Sequence, residues 1–229
     1  MRGDLVSYLR QRYVESASQQ QGEGPVITIS REYGCAAKIV AQKLSEKLSQ
    51  KKDKWGKTHP WKWYSKEILE ESAKQLQLDP SEIAYVFNYE KRSTLEDFFN
   101  SFSHYYHSDK KIRNTIGKVI REIAEQGHAI IVGRGGIAIT RDMARSLHIH
   151  LHAPLEWRAS RVSERYSCTL EEAKERCIET DKKREEFKNY FQGKGTDYTW
   201  PDLTINAMTL SVDEIVEIII KTVELRDLL

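Results

Sequence analysis

Short apolar, β-branched runs recur along this chain with long amphipathic stretches between them, and that alternation limits the fold more than any other feature. The first run, Val26 to Ser30, follows Pro25 and leads into a glycine-bearing loop, Arg31 to Cys35. Beyond it Val40, Ala41, Leu44 and Leu48 return at helical spacing, so the pattern changes from strand to helix across the loop. Ile112, Ile116, Val119, Ile120 and Ile123 mark a second helix ending near Gly127, followed by the strand HAIIV and the turn GRGG. LHIHLHAP and DLTIN are further strands, and a short one is expected around Trp63 and Tyr64. Thr169 with Glu172 and Ser211 with Glu214 form capping boxes that open two more helices. Between Ser65 and His107 no strand is expected: Ile68, Leu69, Ala73 and Leu76 make one helical face, and Asp79, Pro80 and Glu82 begin another helix. Strands alternating with helices imply βαβ units and a parallel sheet covered on both faces, an α/β fold. Ligands of such sheets bind at the carboxyl ends of the strands, here Tyr33-Gly34, Gly133-Arg134-Gly135 and the segment after His152.

Composition excludes several classes. Hydrophobic residues are 39% of the 229 and charged residues 31%, too apolar for wholesale disorder, and no 18-residue apolar run exists to span a bilayer. Lys plus Arg is 36 against Asp plus Glu 34, so the net charge of +2 gives no global reason for a nucleic acid or membrane-surface partner. Cys35, Cys168 and Cys177 form no CxxC pair, which argues against a disulfide framework and a structural zinc site and favours a reducing, cytoplasmic setting. Residues 1–24, with the polar stretch SASQQQGEG, read as an arm or linker, and residues 25–229 as one domain.

ISREYGCAAKIVAQKL has the strand, glycine loop and helix context of a phosphate-binding loop, and equally of an ordinary strand-to-helix turn. Aligned on Gly34, the pattern GxxxxGK[ST] puts Ala37 at its lysine position; Lys38 comes one residue late, about 100° further around the helix. GRGG places Arg134 at a strand end, where a planar guanidinium can grip phosphate. Arg158, Arg161 and Arg165 fall on one helix face, with Asp181, Lys182, Lys183 and Arg184 beyond the next helix; the run is either a solvated face or a cluster closing over a polyphosphate. His148, His150 and His152 share one strand face, read as packing against helices rather than as a metal site. Phe98, Phe99, Phe102, Tyr105 and Tyr106 read as core aromatics.

In order, ITISREYGCAAKIVAQKLSEKL, WYSKEILEESA, IIVGRGG, LHAPLEWRASRVSERY through TDKKREEFKNYF, and DLTINAMTLSVDEIVEIII resemble the cytidylate kinase-like family, relatives of the nucleoside monophosphate kinases within the P-loop fold. The resemblance implies a five-stranded parallel P-loop kinase-like sheet flanked by helices, a helical monophosphate-binding insertion over 65–108 and an Arg-rich lid over 155–200. It implies ATP and Mg2+ as cofactors and small-molecule nucleotides as partners, with no nucleic acid or membrane. Tyr33, Gly34, Cys35, Ala36, Ala37 and Lys38 would surround the ATP phosphates, and Lys38, Arg158 and Arg161 would act in catalysis, with Arg165 on the lid side. Arg134 would hold the acceptor's phosphate, with Ser65, Asp181 and Arg184 also on the acceptor, for which CMP is implied; no residue is assigned as a metal ligand. The chain has GCAAK where the family commonly has GSGGR, and Val132 where related kinases have an aspartate. The alternative is therefore a catalytically impaired pseudokinase, a nucleotide or phosphate-ligand sensor or a protein-interaction module.

Overall fold

The computed structural model describes residues 24–80, 109–192 and 201–229. Five strands, β1 (Val26–Arg31), β2 (Lys62–Tyr64), β3 (Ala129–Val132), β4 (Ser146–His152) and β5 (Leu203–Asn206), form one sheet in the order β2-β3-β1-β4-β5, and every pairing is parallel. The described helices are α1 (Ala37–Leu48), α2 (Glu67–Leu76), α3 (Asp109–Gln126), α4 (Gly136–Thr140), α5 (Leu155–Tyr166), α6 (Leu170–Gln192) and α7 (Val212–Leu225). This is the α/β architecture that the alternating pattern predicts. The arm over 1–23, the aromatics Phe98 to Tyr106, residues 81–108 of the expected insertion and 193–200 of the expected lid lie outside the described residues.

Side chains alternate across the pleat, so each strand feeds two cores. On one face Ile27, Ile29, Val132, Leu147 and Ile149 pack against α1 and α7 through residues such as Leu44 and Ile219. On the other, Val26, Ala129 and Ile131 meet Ile68 of α2, Ile116 and Ile120 of α3, and Phe187 of α6. Burial on both faces explains why the strands read as continuous apolar runs. Lys43 and Lys47 of α1, and Lys51 just beyond its end, pair with Asp213, Glu217 and Glu224 of α7 along the outer seam, in exposed contacts that set the register of two helices more than they stabilise them.

Both capping boxes form. Thr169 Oγ1 accepts from the Glu172 N–H while the Thr169 N–H donates to Glu172, and Ser211 and Glu214 reciprocate in the same way. The structure differs from expectation at α6, a 23-residue helix that runs through Asp181 to Arg184 instead of ending before them. Its tight turn from α5, with Ser167 in the left-handed conformation, is sealed by Ala159, Val162, Ala173 and Cys177.

Two of the three strand histidines, His148 and His150, hydrogen-bond to side chains of the neighbouring strand. The register sets Thr28 beside His148 and Ser30 beside His150, and His148 Nδ1 lies 2.8 Å from Thr28 Oγ1 while its Nε2 lies 3.2 Å from Ser146 Oγ. Ser30 Oγ sits 3.0 Å from His150 Nδ1. Burial, the largest cause, lowers the pKa of both rings from the ordinary 6.5, so they are held neutral. A lowered pKa means stability is complete above about pH 6.5, the unfolded value, and is lost as pH falls toward the folded values. Denaturant titrations between pH 8 and 5 should show stability declining by up to about 1.4 kcal/mol per pH unit for each such histidine. His148→Gln should flatten that decline.

Candidate active site

Strands β1 and β3 run side by side with Ile29 opposite Val132, so the loops that follow them, 32–36 and 133–135, lie together at the carboxyl edge of the sheet. Gly34 (φ +94°) turns the first loop, and a β-carbon there would press into the backbone and Cβ of Arg158. Among the described residues the backbone N–H groups of Gly34, Ala36, Lys38 and Ile39 have no acceptor, and the N-cap position Ala36 brings no side-chain cap. A ring of unfilled donors at the start of a 12-residue helix is what an anionic oxygen needs.

Asp181 of α6 closes this loop from the side. Its carboxylate accepts the Tyr33 N–H at 2.6 Å and a guanidinium N–H of Arg158 at 2.7 Å, and it lies 3.5 Å from Arg184. Burial pushes the Asp181 pKa up, against the pull of the Tyr33 N–H and of Arg158 and Arg184. Arg158 also donates to the carbonyls of Ala153 at 2.9 Å and Tyr33 at 3.0 Å and pairs with Glu32 at 3.2 Å. With a side chain only 8% exposed, Arg158 is fully engaged by protein. The expected common face of three arginines therefore does not form: Arg161 stacks on the Trp157 ring at 4.7 Å and Arg165 lies over Tyr166. Helical spacing puts them in one sector, but the loop carbonyls and two carboxylates draw Arg158 inward.

The second loop holds three successive residues in the left-handed region, Gly133, Arg134 and Gly135, with φ of 73°, 58° and 72°. Arg134, the one with a β-carbon, carries the backbone strain such sites store. Its Nε donates to the carbonyl of buried Ser65 at 3.3 Å, so WYS and GRGG meet as the sequence reading groups them. A β-carbon on Gly133 would collide with Nη1 of Arg31, whose side chain leaves the end of β1 and rests on this glycine. Arg184 donates to the Arg31 carbonyl at 3.2 Å and lies over the Tyr33 ring. Burial first, then the charges of Arg184 and Arg134, lowers the Arg31 pKa to about 9.

Of the residues singled out in the sequence, Tyr33, Gly34, Cys35, Arg134, Asp181 and Arg184 converge here, with Ser65 reached through its carbonyl. Lys38 brings its backbone N–H to the loop, while its side chain is exposed on α1 and its neighbour Ala37 is buried. Arg31 was not singled out, although a charged residue ending a buried β-branched strand signals a side chain with a special destination. Burial raises the Cys35 thiol to about 11 and the Tyr33 phenol to about 12, so neither serves as a base or thiolate near neutrality. Beyond the first loop, Ala36, Leu151, Trp157, Arg161, Met208 and Ser211 help to line a cavity of about 260 Å³.

The carboxylates nearby do not fit a protein-held magnesium. Glu32 accepts the Ala153 N–H at 2.9 Å and pairs with Arg158, Asp181 is occupied as described, and Val132 is apolar and buried. No group of three His, Cys, Asp or Glu side chains able to hold a metal occurs among the described residues. Replacing Asp181 with alanine should cost roughly 2–3 kcal/mol of folding stability, because buried guanidinium and loop N–H groups lose their acceptor. A lowered urea midpoint with an unchanged slope would register that loss.

Comparison with known proteins places this architecture. A family model for the cytidylate kinase-like family matches residues 26–209. The cytidylate kinase of Methanopyrus kandleri is 35% identical over 104 residues, 41% of this chain and 53% of that protein. The uronate isomerase of Corynebacterium glutamicum is 27% identical over 117 residues, 50% of this chain and 22% of that protein. The chain thus spans about half or less of the length of these curated relatives. A crystallised, uncharacterised protein from Eubacterium ventriosum, 23% identical, superposes with a TM-score of 0.63 over 88% of this chain and 99% of that one, and so shares the fold. No described helix is long and apolar enough to cross a membrane. With both glycine loops and all five strands inside the matched span, the chain belongs to the cytidylate kinase-like family.

Proposed function

We propose that this protein is an ATP-dependent phosphotransferase acting on a nucleoside monophosphate, with CMP as the acceptor. The observation that carries the reading is the loop of unfilled N–H donors between Gly34 and Ile39, with a cavity on one side and a cluster of arginines on the other. The donor's phosphates lie on the loop donors, and its base enters the 260 Å³ cavity beside the Trp157 and Arg161 stack. Arg134 grips the acceptor's phosphate, and Arg184, anchored by Asp181, faces the same space. In the transfer, a bond forms between the γ-phosphorus and an acceptor phosphate oxygen as the bond to the β,γ-bridging oxygen breaks, leaving ADP. The residues contribute position and positive charge and form no covalent intermediate. Any magnesium would have to be supplied with the donor phosphates, where it would neutralise their charge, and no step is assigned to a metal held by protein.

A second reading, a nucleotide sensor without turnover, draws on the buried Ala37, the outward Lys38 and the apolar Val132. Calorimetric titration with magnesium and ATP, repeated with CMP present, followed by a coupled assay of ADP release, separates the two. Binding in the micromolar range that is strengthened by CMP, with turnover, is the kinase outcome; binding without turnover is the sensor outcome. Trp157→Ala should weaken ATP binding about tenfold, the loss of one stacking contact of roughly 1–1.5 kcal/mol. Arg134→Ala should raise the KM for CMP more than that for ATP, and unchanged activity at limiting CMP would remove the acceptor assignment.

A further inference from the structure

A phosphate loop that binds a polyphosphate needs a cation directed at the terminal phosphate, and the loop helix does not provide one from within. Ala37 occupies the expected position and is buried, while the Lys38 side chain is exposed and makes no hydrogen bond or ion pair with a described residue. A guanidinium stands at the loop from a different origin. Arg31 is the last residue of β1, and its side chain crosses to the second loop, where a β-carbon on Gly133 would displace Nη1. Cys35 of the first loop and Arg134 of the second are both within electrostatic reach of it.

We propose that Arg31 is the phosphate-binding cation of this loop, holding the terminal phosphate of a bound polyphosphate between REYG and GRGG. This rests on the phosphotransferase reading and adds a residue to it. Three observations carry the assignment. First, among the described residues the Arg31 side chain has no hydrogen bond and no ion pair, so no protein acceptor accounts for its placement. Second, like charge crowds it: the guanidiniums of Arg184 and Arg134 lie close enough to act on Arg31, while the Asp181 carboxylate is shared among the Tyr33 N–H, Arg158 and Arg184, and Glu32 pairs with Arg158. Burial and those like charges disfavour its charged form, which a phosphate dianion would restore. Third, the placement is specific. Gly133 is held by its N–H to the Ile29 carbonyl at 3.0 Å, and Arg184 donates to the carbonyl of Arg31 itself, so both ends of the side chain's path are fixed. During transfer Arg31 accepts and donates no proton; it neutralises charge on the moving phosphoryl group.

Inorganic tripolyphosphate tests the assignment without requiring turnover. Calorimetry and thermal melting would compare the full-length protein with Arg31→Gln, Arg31→Ala and the exposed control Lys62→Gln, which removes the same charge from the far end of the sheet. The expected result is a tenfold or greater loss of tripolyphosphate affinity in both Arg31 variants, with Lys62→Gln within twofold of the parent. In phosphate-free buffer the Arg31 variants should melt at or above the parent temperature, since a crowded, unpaired guanidinium has been removed; a residue with a merely structural role would lower it. In the ATP and CMP assay, Arg31→Gln should lower kcat at least a hundredfold, with the KM for CMP within threefold. The proposal is overturned if the Arg31 variants bind tripolyphosphate like the parent, if the parent itself does not bind it, or if Lys38→Gln abolishes binding and Arg31→Gln does not. Arg31-dependent tripolyphosphate binding in a protein that phosphorylates no nucleotide would sustain the assignment and dismiss the kinase reading.

Discussion

The carboxylate of Asp181 is the contact on which the site depends. It joins a helix late in the chain to the loop after the first strand, by accepting the Tyr33 N–H, and it fixes Arg158, which ties the same loop to the start of α5. An isolated ion pair on the surface would contribute little. This one is half-buried and shares its oxygens with a backbone donor and two guanidiniums, so removing it strands several polar groups at once. The arginine that looks most like part of a mobile basic lid is thereby a fixed strut, and loop 32–36 gains its shape from side chains rather than from glycines alone.

Once those contacts are made, the edge of the sheet is left unbalanced. Asp181 is shared between Arg158 and Arg184 and Glu32 pairs with Arg158, whereas Arg31, Arg134 and Arg184 lie close together. Folded proteins tolerate such arrangements where a ligand supplies the missing charge, and strain collects in the same places. Here the left-handed Arg134 and the collision that any side chain at Gly133 would make with Arg31 mark that spot in the backbone.

Much of this fold was legible in the sequence because hydrophobic periodicity is local. Val26 to Ile29 and Ala129 to Val132 are buried on both faces and so have no polar alternation to read, while α1 and α7 show their apolar faces at helical spacing. Capping boxes were equally legible, since Thr169 and Ser211 meet partners three residues away. Periodicity failed where charged residues compete for partners. Spacing grouped Arg158 with Arg161 and Arg165, but it carries no information about the Tyr33 and Ala153 carbonyls that wait for one of them. The end of α6 was misplaced for a related reason: a helix rich in Lys and Glu shows no apolar stripe to mark where it stops.

The sequence by itself determined the parallel α/β class, the two glycine loops and the family, because each is written in neighbouring residues or in the order of short motifs. Tertiary structure decided which charges act together. Tyr33 and Asp181 are 148 residues apart and meet because β1 is central and α6 lies over its polar end. Lys38 stays exposed on the helix that buries Ala37, and the Arg31 side chain comes to rest on Gly133, the residue that follows the neighbouring strand. An arginine's role depends on the sum of desolvation and nearby charge, and that sum exists only after the chain has closed.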